Sequence, residues 1–152
     1  MNCESNSVFL PQTVTFGYLP TLFYDLLLID GPYPALFTCT NQEETRTFLV
    51  LCPSTEKRDI QYIIVEVEPE RIIALLEDNI TIRDVFGDDK TKVYIHSDKP
   101  NRPQITITCL GCVDPKHLPT PGFTMDADPG EFDEEIGILR KRQETLNKKG
   151  RI

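Results

Sequence analysis

The 152-residue chain has no tryptophan, only two histidines and two methionines, and fewer basic than acidic residues, 16 against 24. The net charge of −8 sets up a field that repels phosphate backbones and anionic bilayers, which argues against nucleic acid and membrane surfaces as partners. Long apolar runs are missing as well. Those present, such as LLLI at 26–29 and IIALL at 72–76, are core-sized, whereas a membrane-spanning helix needs about eighteen or more apolar residues. The opening MNCESNSVFLPQTVTFGYLP lacks both the basic and the apolar region of an export signal, so a cytoplasmic protein is expected. Glycine-rich phosphate loops, HExxH and GxSxG are absent, and Gly17, Gly31 and Gly87 stand alone as punctuation. Enzymatic function is therefore not the expectation. Five cysteines, an odd number without an export signal, read as reduced thiols rather than as a disulfide framework.

What is present is an ordinary globular composition, 39% hydrophobic and 26% charged, with twelve prolines that imply many turns. A single domain of this length buries roughly two-thirds of its unfolded surface and needs no disulfide or metal to hold a core. Past an extended lead at 1–20, LFYDLLLIDGPYPALFTCT predicts two antiparallel strands, Leu22–Ile29 and 35–40, about a turn at Asp30, Gly31 and Pro32. The polar NQEET then gives way to a third strand at 47–52, and IQYIIVEVE at 60–68 alternates enough to predict a fourth. KVYIHS and QITITCL, separated by the turn-forming DKPNRP, predict a closing hairpin at 92–97 and 104–110.

Two short helices are expected between the fourth and fifth of these strands. Pro69 suits a first helical turn, where its missing N–H costs nothing, and Glu68 and Glu70 lie at the end that favours negative charge. Ile72, Ile73, Leu75 and Leu76 supply an apolar side. Thr81 followed three residues later by Asp84 resembles a capping box with Asp in place of the usual Glu or Gln, and the second helix stops at Gly87. The predicted class is α+β: a mostly antiparallel sheet of about six strands, these two helices, and a carboxy-terminal helix. The α+β domain is placed at 21–112.

A Pro/Gly-rich arm at 113–131 leads to the carboxy-terminal helix at 132–149, whose charges run from acidic to basic in the order that a helix dipole favours. Phe132, Ile136, Leu139 and Leu146 form a narrow seam of about two heptads. Such a seam either docks on its own domain or binds a partner protein or a second copy of the chain.

Three groups of residues carry candidate chemistry. Cys109 and Cys112 of CLGC are spaced to chelate one tetrahedral zinc, with His117 as a third ligand and Cys39, Cys52 or His96 as a fourth, though the second paired motif usual in structural zinc sites is missing. The same pair has the spacing of a redox dithiol, but its flanks, TIT and VDPKHLP, are not the strand-to-helix setting of a thioredoxin-like site. His96 has the titration range of a general base, with no motif that supplies a nucleophile beside it. Asp88 and Asp89, and Asp126, Asp128 and Glu131, offer oxygen ligands for a hard cation, yet no glycine-centred twelve-residue calcium loop surrounds them.

The run YIIVEVEPERIIALLEDNITIRDVF at 62–86, together with YDLLLIDGPYPALFTCTNQEETRTFLVL and HLPTPGF, resembles a bacterial family of uncharacterised small domains. In that family a meander leads through a strand into a helix, a hairpin and an LP-xx-G segment. The likeness spans about 22–123 and rests on hydrophobic and turn positions. It implies a bacterial or phage cytoplasmic setting and carries over no functional residue and no cofactor.

The functional expectation is a non-enzymatic, acidic interaction module that binds a protein partner or itself, as an immunity factor or antitoxin covers a basic surface. The alternative is a small-molecule or zinc-binding domain centred on Cys109 and Cys112.

Overall fold

Apolar residues at successive positions of the central strands need cover on both faces of a sheet, and the computed structural model, which describes residues 13–14, 21–30, 35–52, 60–98 and 103–150, is built around that demand. Seven strands, β1 (Thr13–Val14), β2 (Leu22–Ile29), β3 (Leu36–Thr40), β4 (Thr47–Leu51), β5 (Ile60–Glu66), β6 (Lys92–Asp98) and β7 (Pro103–Cys109), lie side by side in chain order. Every neighbouring pair is antiparallel, a meander whose links are all local in sequence. The expected α+β class and strand order hold, and the two-residue β1 extends the sheet by one strand into the lead. Gly31 and Pro32 of the first expected turn and residues 99–102 of DKPNRP lie outside the described residues, as do 53–59.

In β4 the alternation sorts neighbours to opposite sides: Phe48 and Val50 join one cluster, Leu49 and Leu51 the other. The first face carries Phe37, Cys39, Phe48, Val50, Ile64 and Tyr94. On the second face Leu36, Leu49, Ile63, Val65, Val93 and Ile95 meet the helices. A strand apolar on both sides reads as a continuous run rather than as an alternation.

Helix α1 (Pro69–Leu76) starts with Pro69 in its first turn and buries Pro69, Ile72, Leu75 and Leu76. It ends with Asp78 at φ 62, while the Asp78 amide donates to the Leu75 carbonyl (3.1 Å) and the Asn79 amide to that of Ala74 (2.8 Å). That pair of bonds is a Schellman closure with aspartate where glycine is usual. Helix α2 (Ile82–Val85) has the expected capping box, with Asp84 N donating to Thr81 Oγ1 at 3.0 Å and the Asp84 carboxylate facing Thr81 N. Gly87 follows at φ 106, where a side chain would run into Thr91.

Helix α3 (Asp133–Gly150) packs against α1. Phe132 and Leu139 lie inside the same cluster as the sheet, with Ile136 packed against it. The seam therefore docks within the chain, and the helix belongs to the same core as residues 21–112.

Candidate functional site

An extended β2 would point Asp25 and Leu26 to opposite faces, but a register irregularity between Tyr24 and Leu27 changes this. Leu26 N donates to Thr38 Oγ1 (3.0 Å), Leu26 packs on the helix-covered cluster, and Asp25 turns to the same side. Two consecutive side chains on one face are the result of a β-bulge. Asp25 then accepts from Thr38 Oγ1 at 2.7 Å and from both terminal nitrogens of Arg142 at 2.9 and 3.1 Å. The ion-paired side chains are 7% (Arg142) and 14% (Asp25) exposed, and this fork ties the middle of α3 to β2. Neither residue stood out in the sequence, where a lone Asp in a strand and one Arg in a basic helix carry no pairing signal.

The arm at 113–131 is pinned in several places. Two short 3-10 turns, Leu110–Cys112 and Pro115–His117, open it, and Val113 and Leu118 enter the core. Ile82 N donates to Phe123 O at 2.8 Å. Asp126 N and Ala127 N donate to the two oxygens of Asp78 at 2.9 and 3.0 Å, while Met125 and Ala127 pack on the core. Between these anchors Phe123 stands 63% exposed, after a turn at Pro121 and Gly122 whose φ of 92 suits glycine.

Next to the arm, a notch of about 480 Å³ between the end of α1 and the start of α3 is lined by Glu77, Asp78, Asp128, Glu131 and Asp133, without a basic residue. A larger open groove, about 880 Å³, runs between β5, β6 and α2 and mixes both signs. Its cations are engaged, Arg71 with the Asp84 carbonyl and Lys92 over the Tyr94 ring at 5.6 Å.

The sequence-derived candidates fall in separate places. Cys109 ends β7 and Cys112 ends the 3-10 turn that follows, and their sulfurs are 2.9 Å apart. His117 sits half-buried in the second 3-10 turn. His96 is on β6, opposite Tyr62 and with its ring centroid 5.7 Å from that of Tyr62. Cys39 and Cys52 are buried, and burial, aided by the charge of Asp25, pushes the Cys39 thiol up to about 12. Among the described residues no group of three or more His, Cys, Asp or Glu is placed to hold a metal ion, so the proximity of the thiol pair is not extended to a third ligand. Asp88 accepts from Lys90 N at 3.0 Å and Glu131 from Asp128 N at 2.9 Å, the local bonds of polar turns. Of the helix seam, Phe132 and Leu139 are buried, and Ile136 and Leu146 are half-buried; among the described large apolar side chains Phe123 is the most exposed, ahead of Ile107 at 44% and Ile138 at 40%.

No helix among the described residues is long and apolar enough to cross a membrane. No protein-family model, curated protein or solved structure matches the chain, so the pattern likeness over 22–123 adds nothing to the assignment of a site.

Proposed function

We propose that this protein is a non-enzymatic, cytoplasmic interaction module whose contact surface is the arm around Phe123 together with the acidic notch beside it, and whose occupant is a protein with a basic surface. The observation that carries this reading is Phe123, a large aromatic side chain 63% exposed on a segment held by the Ile82 and Asp78 bonds. An aromatic anchor on an already ordered backbone loses little conformational entropy on binding, and such residues dominate interface energetics. The five carboxylates of the notch and the net charge of −8 favour a partner of opposite sign through faster encounter and rejection of like-charged surfaces. The same charge makes a second copy a poor occupant, because two acidic copies repel.

The test compares capture of basic proteins from native lysate by immobilised wild type and by Phe123→Ala. Expected is a partner retained by wild type, released as salt rises, and weakened by about 2 kcal/mol or more when the ring is removed. Equal retention by both proteins, or capture indifferent to salt, would sink the proposal. Native mass spectrometry of the isolated chain should report a monomer, and a stable dimer would replace the basic partner with a second copy.

A further inference from the structure

We propose that Cys109 and Cys112 form a redox-active dithiol at the surface, which closes to an intramolecular disulfide by exchange with a low-molecular-weight disulfide such as oxidised glutathione. The geometry that carries this is local. Cys109 is the N-cap of the 3-10 turn Leu110–Cys112, and Cys112 is its last residue. Residues three apart in a 3-10 helix eclipse one another, so the turn brings the two sulfurs to 2.9 Å with both thiols free. A disulfide needs about 2.05 Å. The closure is thus under about 1 Å and is met by small side-chain rotations.

The turn is held while this happens. Leu110 N donates to Thr91 O at 2.8 Å and Gly111 N to Asp89 O at 2.9 Å, and a Cβ on Gly111 would come within 2.9 Å of the Asp89 side chain. Glycine between the cysteines is what lets the turn lie this close to the 87–91 loop. The thiol pair is therefore preorganised by these backbone bonds and by Leu110 and Val113, which anchor the turn in the core. Its flanks, a strand on one side and a 3-10 turn on the other, differ from the helix start of a thioredoxin-like site, and no third metal ligand joins it among the described residues.

The two sulfurs are not equivalent. Cys112 is the more exposed, and hydrogen bonds to its sulfur from Cys109 and then Thr108 lower its pKa, whereas the bond to Cys112 raises that of Cys109. The thiolate is the nucleophile, so Cys112 attacks first. Its sulfur bonds to one sulfur of the small disulfide and the other leaves as a thiolate. Cys109 then loses its proton to solvent base and attacks the Cys112 sulfur, expelling the second small thiolate. In sum, two protein thiols are oxidised to one disulfide and one small disulfide is reduced to two thiols, which take up the two protons.

The experiment uses the full chain carrying Cys3→Ser, so that only Cys39, Cys52, Cys109 and Cys112 report, equilibrated in graded mixtures of reduced and oxidised glutathione. After acid quench and alkylation under denaturing conditions, intact mass counts the thiols. Expected is the loss of two alkylatable thiols in one step, reversed by dithiothreitol, with buried Cys39 and Cys52 still reduced. Cys109→Ser should trap a glutathione adduct on Cys112, the more exposed of the two thiols. Four thiols surviving the oxidised buffer, or adducts without ring closure in the Cys3→Ser chain, would each overturn the proposal. So would protection of both thiols from alkylation by zinc alone, which would return the pair to metal binding.

Discussion

Helix α3 carries two arginines two residues apart, each on a carboxylate from a distant part of the chain, and the two pairs differ in nearly every physical respect. Arg142 meets Asp25 through both terminal nitrogens, with Thr38 on the same carboxylate, in side chains 7% and 14% exposed. Arg140 meets Glu77 through one nitrogen at 2.6 Å, in side chains 57% and 36% exposed. Burial removes the water that would otherwise satisfy each ion, so the inner pair is costly to break from one side, while the outer pair is screened and optional. A short distance alone does not measure what a contact holds together.

The largest break in that comparison is expected from Asp25→Ala. It leaves the Arg142 guanidinium buried without its carboxylate and should lower stability by about 3–5 kcal/mol, read as a fall in urea midpoint at unchanged slope. Replacing both partners, Asp25→Leu with Arg142→Met, should recover most of that loss, because an apolar pair of similar volume avoids the desolvation cost. If the double variant is as weak as the single one, the pair's role is not one of mutual neutralisation.

A smaller effect sharpens the same contrast at the arm. Asp78→Gly keeps the left-handed backbone that closes α1, indeed relaxes it, but removes the acceptor of Asp126 N and Ala127 N. The two changes oppose one another, so stability should fall by only about 1 kcal/mol. Amide exchange at Asp126 and Ala127 should quicken well beyond what that global change accounts for. Exchange rates that move only with global stability would mean that the arm is held by Met125 and Ala127 in the core instead.

The smallest effect is expected from Arg140→Ala, at most about 1 kcal/mol and fading as salt is raised. A loss as large as that of Asp25→Ala would erase the distinction between the two pairs.

Much of the frame was legible because its signals are local. The Thr81/Asp84 capping box, Pro69 in a first turn and the β-branched runs of β4, β5 and β6 each act within a few residues, and each is found where the pattern put it. The two-residue β1 was not foreseen, since two residues are too short for any periodicity. For the candidate sites, the CxxC spacing put two cysteines three residues apart, and the 3-10 turn brings their sulfurs to 2.9 Å. The spacing could not say whether His117, Cys39 or Cys52 would join them, because that depends on which faces the strands turn. Cys39 went to the face opposite the described helices and Cys109 to the end of β7. Asp25 and Arg142 are 117 residues apart, and only the bulge in β2 aims the carboxylate at the helix.

By itself the amino-acid sequence determined the class of the fold, the order of its strands, the two helices between β5 and β6, and the acidic character of its surface, since propensity, capping and charge are properties of short stretches or of simple sums. The tertiary structure decided where α3 docks, which two of the exposed and buried thiols meet, and that Phe123 stays in solvent while Phe132 enters the core. Those outcomes turn on side chains distant in sequence competing for one buried volume, and that competition is resolved only when the whole sheet is in place.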